Sequence, residues 1–116
     1  MNNFKTLKVW QESINLAVDI YKLTKTFSPD ERFGLISQMN RCVISISSNI
    51  AEGSGRNNPK EFRQFLGIAQ GSACELESQL IISNKLEFIT DKELEILLVK
   101  LNHIQNMTNK LILTLS

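Results

Sequence analysis

Two cysteines, Cys42 and Cys74, and the single histidine, His103, are the residues of this 116-residue sequence whose types are most typical of nucleophiles and transition-metal ligands. Helical bundles that bind two metal ions place a Glu three residues before each ligating His, but Lys100 holds that position here. The two cysteines have neither CxxC spacing nor a histidine close in sequence. We therefore interpret both cysteines as small buried residues and His103 as a boundary or surface residue.

Other catalytic patterns are also missing from the sequence. The GSGR stretch at residues 53–56 follows a predicted helix rather than a strand, and no Gly-Lys-Ser/Thr comes after it, so it does not match a phosphate-binding loop. Some helical-bundle ribonucleases place an Arg shortly before a His on the last helix, and residues 97–102, LLVKLN, contain no Arg. We predict that the protein is not an enzyme and has no metal, cofactor or small-molecule substrate.

The charge balance excludes a strongly basic domain. The formal net charge is +1, and residues 1–58 carry 7 basic and 5 acidic side chains against 6 and 7 in residues 59–116. A dedicated nucleic-acid-binding domain is usually far more basic, although a local basic patch stays open. The N-terminal residues lack the apolar core of a signal peptide, and no stretch approaches about 18 apolar residues. We expect a cytoplasmic protein without a membrane span.

The hydrophobic pattern predicts four long amphipathic helices and a single domain over residues 1–116. Apolar residues recur at intervals of three and four within each helix, and short links between long helices indicate antiparallel neighbours. The predicted fold class is all-α, an antiparallel up-down-up-down four-helix bundle, with helices at about 7–27, 29–52, 59–86 and 91–115.

Capping residues predict where three of these helices begin. Ser28, Asn58 and Thr90 are each followed three residues later by Glu, which is the capping-box pattern or its Asn variant. Pro29 and Pro59 occupy the first helical position, where the missing N–H has no consequence. Gly53 is predicted to end the second helix.

The first helix has a wider apolar arc than one packing partner requires. Two rows of apolar residues lie about 110° apart on it, so it must contact two neighbours, or one neighbour and another subunit. We expect the second row to supply an oligomer interface at Val9, Leu16, Ile20, Leu23 and Phe27. Gly67 and Gly71 inside the third helix each lower its stability by about 1 kcal/mol relative to Ala, and we expect them to let another helix approach closely.

Four stretches together resemble a known family. They are LKVWQ at 7–11, ERFGLISQMNR at 31–41, SISSNIAEGSGR at 45–56 and FRQFLGIAQGSACELESQL at 62–80. They are similar to the four-helix bundle proteins encoded in intervening sequences of bacterial 23S rRNA genes, often labelled the S23 ribosomal protein family. A relative of that family is the accessory protein of diversity-generating retroelements, which partners a reverse transcriptase.

The resemblance implies an up-down-up-down bundle that assembles as a homopentamer, and it implies no established activity. Two positions depart from the family pattern. Ser47 stands where the family usually has Pro, which predicts a straighter second helix, and Ser28 separates Phe27 from Pro29, which moves the predicted start of that helix by about one residue. Neither departure threatens the predicted fold.

Two groups of polar residues are candidate sites. The family motif includes a polar group that is interpreted as a solvated face, a structural cluster or a ligand contact: Arg41, Asn49, Glu52 and Glu75. Three basic residues bracket the start of the third helix, where backbone amides favour anions, and are candidates for nucleic-acid or phosphate contact: Arg56, Lys60 and Arg63.

The leading functional hypothesis is a non-enzymatic, homo-oligomeric assembly and binding protein. The alternative is an RNA-binding protein that acts with a 23S rRNA intervening sequence or a retroelement reverse transcriptase. The near-neutral net charge counts against the alternative, because phosphate contacts by basic residues supply most non-specific affinity for nucleic acid.

Overall fold

The structure, a computed structural model, describes residues 3–116 and consists there of four antiparallel helices joined by short links. They are α1 (Lys8–Thr24), α2 (Ser37–Gly55), α3 (Pro59–Lys85) and α4 (Asp91–Thr114). Each helix packs against two others, in the cycle α1–α2–α3–α4–α1, and the bundle measures 43 × 24 × 20 Å. The predicted all-α, up-down-up-down bundle is confirmed.

The three predicted caps differ in how completely they form. Thr90 and Glu93 make the full reciprocal box at the start of α4, with bonds of 2.8 and 3.1 Å. The Asn58 side chain accepts from the amides of Lys60 and Glu61 at the start of α3. Ser28 accepts only from the Asp30 amide and caps a 3-10 turn, Pro29–Glu31, rather than a helix.

The link between α1 and α2 is less regular than the sequence pattern predicts. Helix α1 ends at Thr24, three residues early, and the segment from Arg32 to Ile36 forms a π turn. Gly34 within that turn has non-helical dihedral angles, φ −110° and ψ −114°. Continuous α-helix therefore begins only at Ser37 instead of residue 29, because a capped turn and a kink precede it.

Gly53 does not end α2, and that prediction was wrong. The helix continues to Gly55, and the chain reverses at Asn57, whose φ of 58° is a left-handed value that Asn tolerates well. A Cβ atom on Gly53 would lie 2.7 Å from Cβ of Phe65 and 2.9 Å from Cδ1 of Phe62. Glycine is needed at this position because α3 packs directly against it.

The core explains the wide apolar arc of α1. The predicted oligomer-interface row is buried within this chain: Val9, Leu16, Ile20, Leu23 and Phe27 all belong to the core. Because α1 packs against both α2 and α4, the second row meets a neighbouring helix of the same bundle. The assignment of these five residues to a subunit interface is therefore wrong.

The single-residue predictions for the cysteines and the histidine are mostly confirmed. His103 is exposed on α4 and Cys42 is buried on α2, as predicted, but Cys74 is exposed on α3. The α3 periodicity places Cys74 in register with Gly67 and Gly71, on the side that faces away from the core. No helix within residues 3–116 is both long and apolar enough to cross a membrane.

Candidate interaction surfaces

Small polar side chains join α2 to α3 along most of their length. Near the middle of the seam, the Ser72 hydroxyl of α3 donates to the Ser45 hydroxyl of α2 at 2.8 Å. The Asn49 amide also donates to that hydroxyl at 3.0 Å and to the Ser45 carbonyl at 2.8 Å. The Ser72–Ser45 bond crosses between the two helices and helps to fix their register, while the Asn49 bonds lie within α2 and hold Ser45 in place.

The next turn of the seam centres on Cys42. Its sulfur lies 3.7 Å from Oε2 of Glu75 and 3.5 Å from Nε2 of Gln79, both on α3. Burial raises the pKa of the Cys42 thiol, and the neighbouring Glu75 carboxylate adds to that effect. The thiol therefore stays protonated at neutral pH and is a poor nucleophile.

The predicted motif residues occupy separate places rather than one cluster. Asn49 joins the serine pair, Glu75 lies beside Cys42, and Glu52 pairs with Arg56 at 3.3 Å. Arg41 is exposed to solvent on the outer side of α2. Of the interpretations offered for this set, a structural role fits Asn49, which bonds to Ser45 of its own helix, and Glu75, which contacts Cys42 across the seam, and a solvated face fits Arg41. Sequence periodicity did not single out the partners Ser45, Ser72 and Gln79.

Arg56 is already occupied by groups of its own chain. Its guanidinium lies 3.3 Å from Glu52 and 3.9 Å from Glu61, and it stacks 5.0 Å from the centroid of the Phe65 ring. Two carboxylates beside one guanidinium leave little net positive charge at this point. Exposed pairs of this kind contribute at most about 1 kcal/mol each, so the arrangement positions the α2–α3 turn more than it stabilises the fold.

The start of α3 is also closed to an anion. Pro59 has no N–H, and the amides of Lys60 and Glu61 donate to Asn58 at 2.9 and 3.2 Å. The Arg63 guanidinium donates to the Leu115 carbonyl at the end of α4. Within residues 3–116, Lys60 is the one of the three predicted basic residues whose side chain forms no hydrogen bond or ion pair. The structure therefore does not bring Arg56, Lys60 and Arg63 together as an anion site.

Helix α3 presents a surface with small and apolar side chains and few charges to solvent. We call it the outward face of α3, and it comprises Gly67, Ile68, Gly71, Cys74, Ser78 and Ile82. Ile68 and Ile82 are about half exposed, at 52% and 47%. A Cβ atom on Gly67 or Gly71 would meet nothing within 4 Å. Residues 3–116 therefore do not supply the helix that these glycines were expected to admit.

A second apolar surface runs between α1 and α2. Two adjoining hollows of about 430 Å³ each share Tyr21 and Lys25, and we call them together the α1–α2 groove. Ile14, Val18 and Ile44 line one hollow, and Phe27 and Ile36 line the other. The groove thus offers apolar side chains over about half the length of the bundle.

The hollow between α1 and α4 is different in character. Leu23, Ile96 and Leu97 form its floor, and its volume is about 330 Å³. The Lys100 ammonium spans it to reach the Asp19 carboxylate at 2.7 Å. Since this ion pair joins the two helices across the opening, we interpret the hollow as part of the α1–α4 contact. Among residues 3–116, no group of three His, Cys, Asp or Glu side chains could hold a metal ion.

Charge is distributed unevenly along the bundle. The end where α1 and α3 begin and α2 and α4 finish carries more basic than acidic side chains. The basic residues there are Lys5, Lys8, Arg56, Lys60, Arg63 and Lys110, and the acidic residues are Glu12, Glu52 and Glu61. We call this the basic end. A net charge near zero for the whole chain hides this asymmetry.

Comparisons with known proteins agree with this architecture. The model of the family described as 23S rRNA-intervening sequence protein matches residues 5–110. A crystal structure from Bacteroides thetaiotaomicron, described as a protein with unknown function from the S23 ribosomal protein family, superposes with a TM-score of 0.83. It is 28% identical in sequence, and the match covers 90% of this chain and 97% of that one. No curated protein sequence matches significantly.

Proposed function

Because the chain belongs to the 23S rRNA-intervening sequence protein family, we propose that it is a non-enzymatic, cytoplasmic bundle protein that assembles with copies of itself. The polar groups found along the α2–α3 seam hold helices together, and the buried thiol at its centre is a poor nucleophile. These features support a binding and assembly role better than a catalytic one.

The outward face of α3 is the observation that carries this proposal. Two glycines inside a helix lower its stability by about 1 kcal/mol each relative to Ala, and nothing within residues 3–116 lies within 4 Å of where their Cβ atoms would be. The half-exposed Ile68 and Ile82 lie beside them. Close packing by another copy would account both for the glycines and for the exposed isoleucines.

The oligomer number comes from the family resemblance, which implies a pentamer. Light scattering behind a sizing column at micromolar concentration tests it, and the expected result is five times the 13.2 kDa mass of one chain. A species of 13.2 kDa under those conditions would contradict self-assembly, and another multiple would contradict the pentamer alone.

The basic end favours a second candidate function, RNA binding. A ring of parallel copies would place the basic ends of all copies on one rim, and such a rim attracts phosphate groups. The RNA could be a 23S rRNA intervening sequence or a retroelement transcript, and the resemblance to retroelement accessory proteins adds a reverse transcriptase as a protein partner.

A charge-removal pair tests RNA binding at this end. Lys60→Gln with Lys110→Gln should weaken RNA affinity and lower the slope of log K against log salt by about 1 to 2. The matched control replaces Lys85 and Lys92, which lie at the opposite end of the bundle. Equal slopes for the two double variants would contradict RNA contact at the basic end.

A further inference from the structure

Phe33 is the most exposed large apolar side chain among residues 3–116. It lies in the π turn between α1 and α2, and 89% of its surface is open to solvent. Phe27, which precedes the turn, contacts Phe88 from the link between α3 and α4, and their ring centroids are 5.5 Å apart. Phe27 is buried and Phe88 is 36% exposed, so Phe33 is far more open to solvent than either ring of this pair.

The α1–α2 groove has the size and lining to receive such a ring. Each of its two hollows measures about 430 Å³, whereas a cavity of about 150 Å³ already holds a benzene ring. Apolar side chains from both helices supply the walls, including Val18 and Ile44. Tyr21, which lies where the hollows meet, could stack edge-on against an inserted phenyl ring.

The charges around the anchor and the groove are opposite in sign. Asp30 and Glu31 precede Phe33 on the same turn, and with the intervening Arg32 they leave this segment a net charge of −1. Lys22, Lys25 and Arg32 line the groove. None of these five side chains forms an ion pair within residues 3–116. The two carboxylates next to the exposed ring therefore complement the basic side chains along the groove, and the same chain carries both.

We propose that a second copy of this chain inserts Phe33 into the α1–α2 groove, with Asp30 and Glu31 against Lys22 and Lys25. The proposal rests on the self-assembly proposed above and adds to it a second contact, separate from the outward face of α3. Each copy has one anchor and one groove, so both are filled whether the copies pair reciprocally or follow one another around a ring. A central aromatic side chain in a pocket is the usual dominant contributor to such a contact.

Replacing the anchor tests the proposal. Phe33→Ala should raise the dissociation constant of the assembly by about 30-fold or more, measured by sedimentation over a dilution series. Its far-ultraviolet circular dichroism should not change, because the ring contributes little to the chain's own core. The matched control is Leu113→Ala, which removes a side chain 66% exposed at the other end of the bundle and should leave assembly unchanged.

Disulfide trapping tests the location of the contact directly. The exposed Cys74 is first replaced by Ser, and Cys42 stays because it is buried. Copies that carry Phe33→Cys are mixed with copies that carry Tyr21→Cys under mild oxidation. A linked species of twice 13.2 kDa should form faster in the mixture than in either variant alone. Substituting Leu113→Cys for Phe33→Cys should abolish that advantage.

The outcomes separate the two proposals. A wild-type chain that stays monomeric overturns self-assembly and the Phe33 contact together. A wild-type oligomer whose dissociation constant does not change in Phe33→Ala, and whose mixed cysteine variants do not link preferentially, overturns the Phe33 contact and leaves self-assembly standing on another surface.

Discussion

Gly53 and Gly71 are both helical glycines of the α2–α3 hairpin, and their surroundings are opposite. A Cβ on Gly53 would be forced to within 3.0 Å of two phenylalanine side chains of α3, whereas a Cβ on Gly71 would enter open space. The first glycine is explained inside the chain, because α3 lies against it. The second is not, because nothing in residues 3–116 approaches it.

The same contrast holds for the two sides of α3. Its side toward α2 is closed by the Ser45–Ser72 bond and the contacts of Cys42. Its outward face carries similar small residues, and nothing in the described part of the chain packs against Gly67 or Gly71 there. Small side chains on one side serve a contact within the chain, and the self-assembly proposed above would give those on the other side a contact with a second copy.

The largest expected effect is at Gly53. Gly53→Ala would overpack the seam by about 3 kcal/mol, offset by about 1 kcal/mol of better helix propensity, so the unfolding free energy should fall by about 2 kcal/mol. Urea denaturation measures it. The control is Gly55→Ala in the same helix, where a Cβ meets nothing within 4 Å, and it should not destabilise. Similar losses for both variants would remove the contrast on which the comparison depends.

On the outward face of α3, a Gly→Ala substitution should raise the unfolding free energy instead of lowering it. Gly67→Ala and Gly71→Ala should each raise the unfolding free energy of the dissociated chain by about 1 kcal/mol, because Ala favours the helix and has room. The same changes should weaken self-assembly, since a methyl group would hold a second copy away. Denaturation at low concentration and sedimentation at high concentration measure the two effects. Unchanged assembly would show that the outward face is not a close contact.

Two serines on opposite sides of α3 give a smaller, paired test. Ser72→Ala removes a 2.8 Å bond to Ser45, worth about 1 kcal/mol and partly offset by helix propensity. Ser78→Ala on the outward face removes no side-chain hydrogen bond within residues 3–116 and gains the same helix propensity. The two variants should therefore differ in unfolding free energy by about 1 kcal/mol, with Ser72→Ala the less stable. Equal stabilities would mean that the serine pair does not support the seam.

Local signals predicted the regular parts of this fold well. The Thr90–Glu93 box and the Asn58 cap are decided by residues within one helical turn, and α3 and α4 begin where these signals place them. Gly53 misled the prediction because a glycine near a helix end has two explanations. Only the position of Phe62 and Phe65 in three dimensions selects close packing over helix termination.

The surfaces were harder to predict than the helices. Periodicity found the wide apolar arc of α1 but could not tell that α4 covers its second row, so five core residues were assigned to an interface. Phe33 was predicted to lie within a helix because a single glycine such as Gly34 is compatible with either a continuous or a kinked helix. The basic cluster failed for a similar reason, since the partners of Arg63 and Arg56 include residues distant in sequence.

The last prediction compares the reactivity of the two thiols, which requires no substitution. Cys74 should react with an alkylating reagent in the folded chain, and Cys42 only after unfolding, because Cys42 is buried and its thiol pKa is raised from 9.0. Mass spectrometry of the peptides gives both rates.

The raised pKa also means that the unfolded chain loses this proton first, so the unfolding free energy should decline as the pH rises above 9.0. If a second copy covers the outward face of α3, Cys74 should become protected as the protein concentration increases, while Cys42 does not respond. Cys74 labelling that is independent of concentration in an assembled sample would place the contact elsewhere on the bundle.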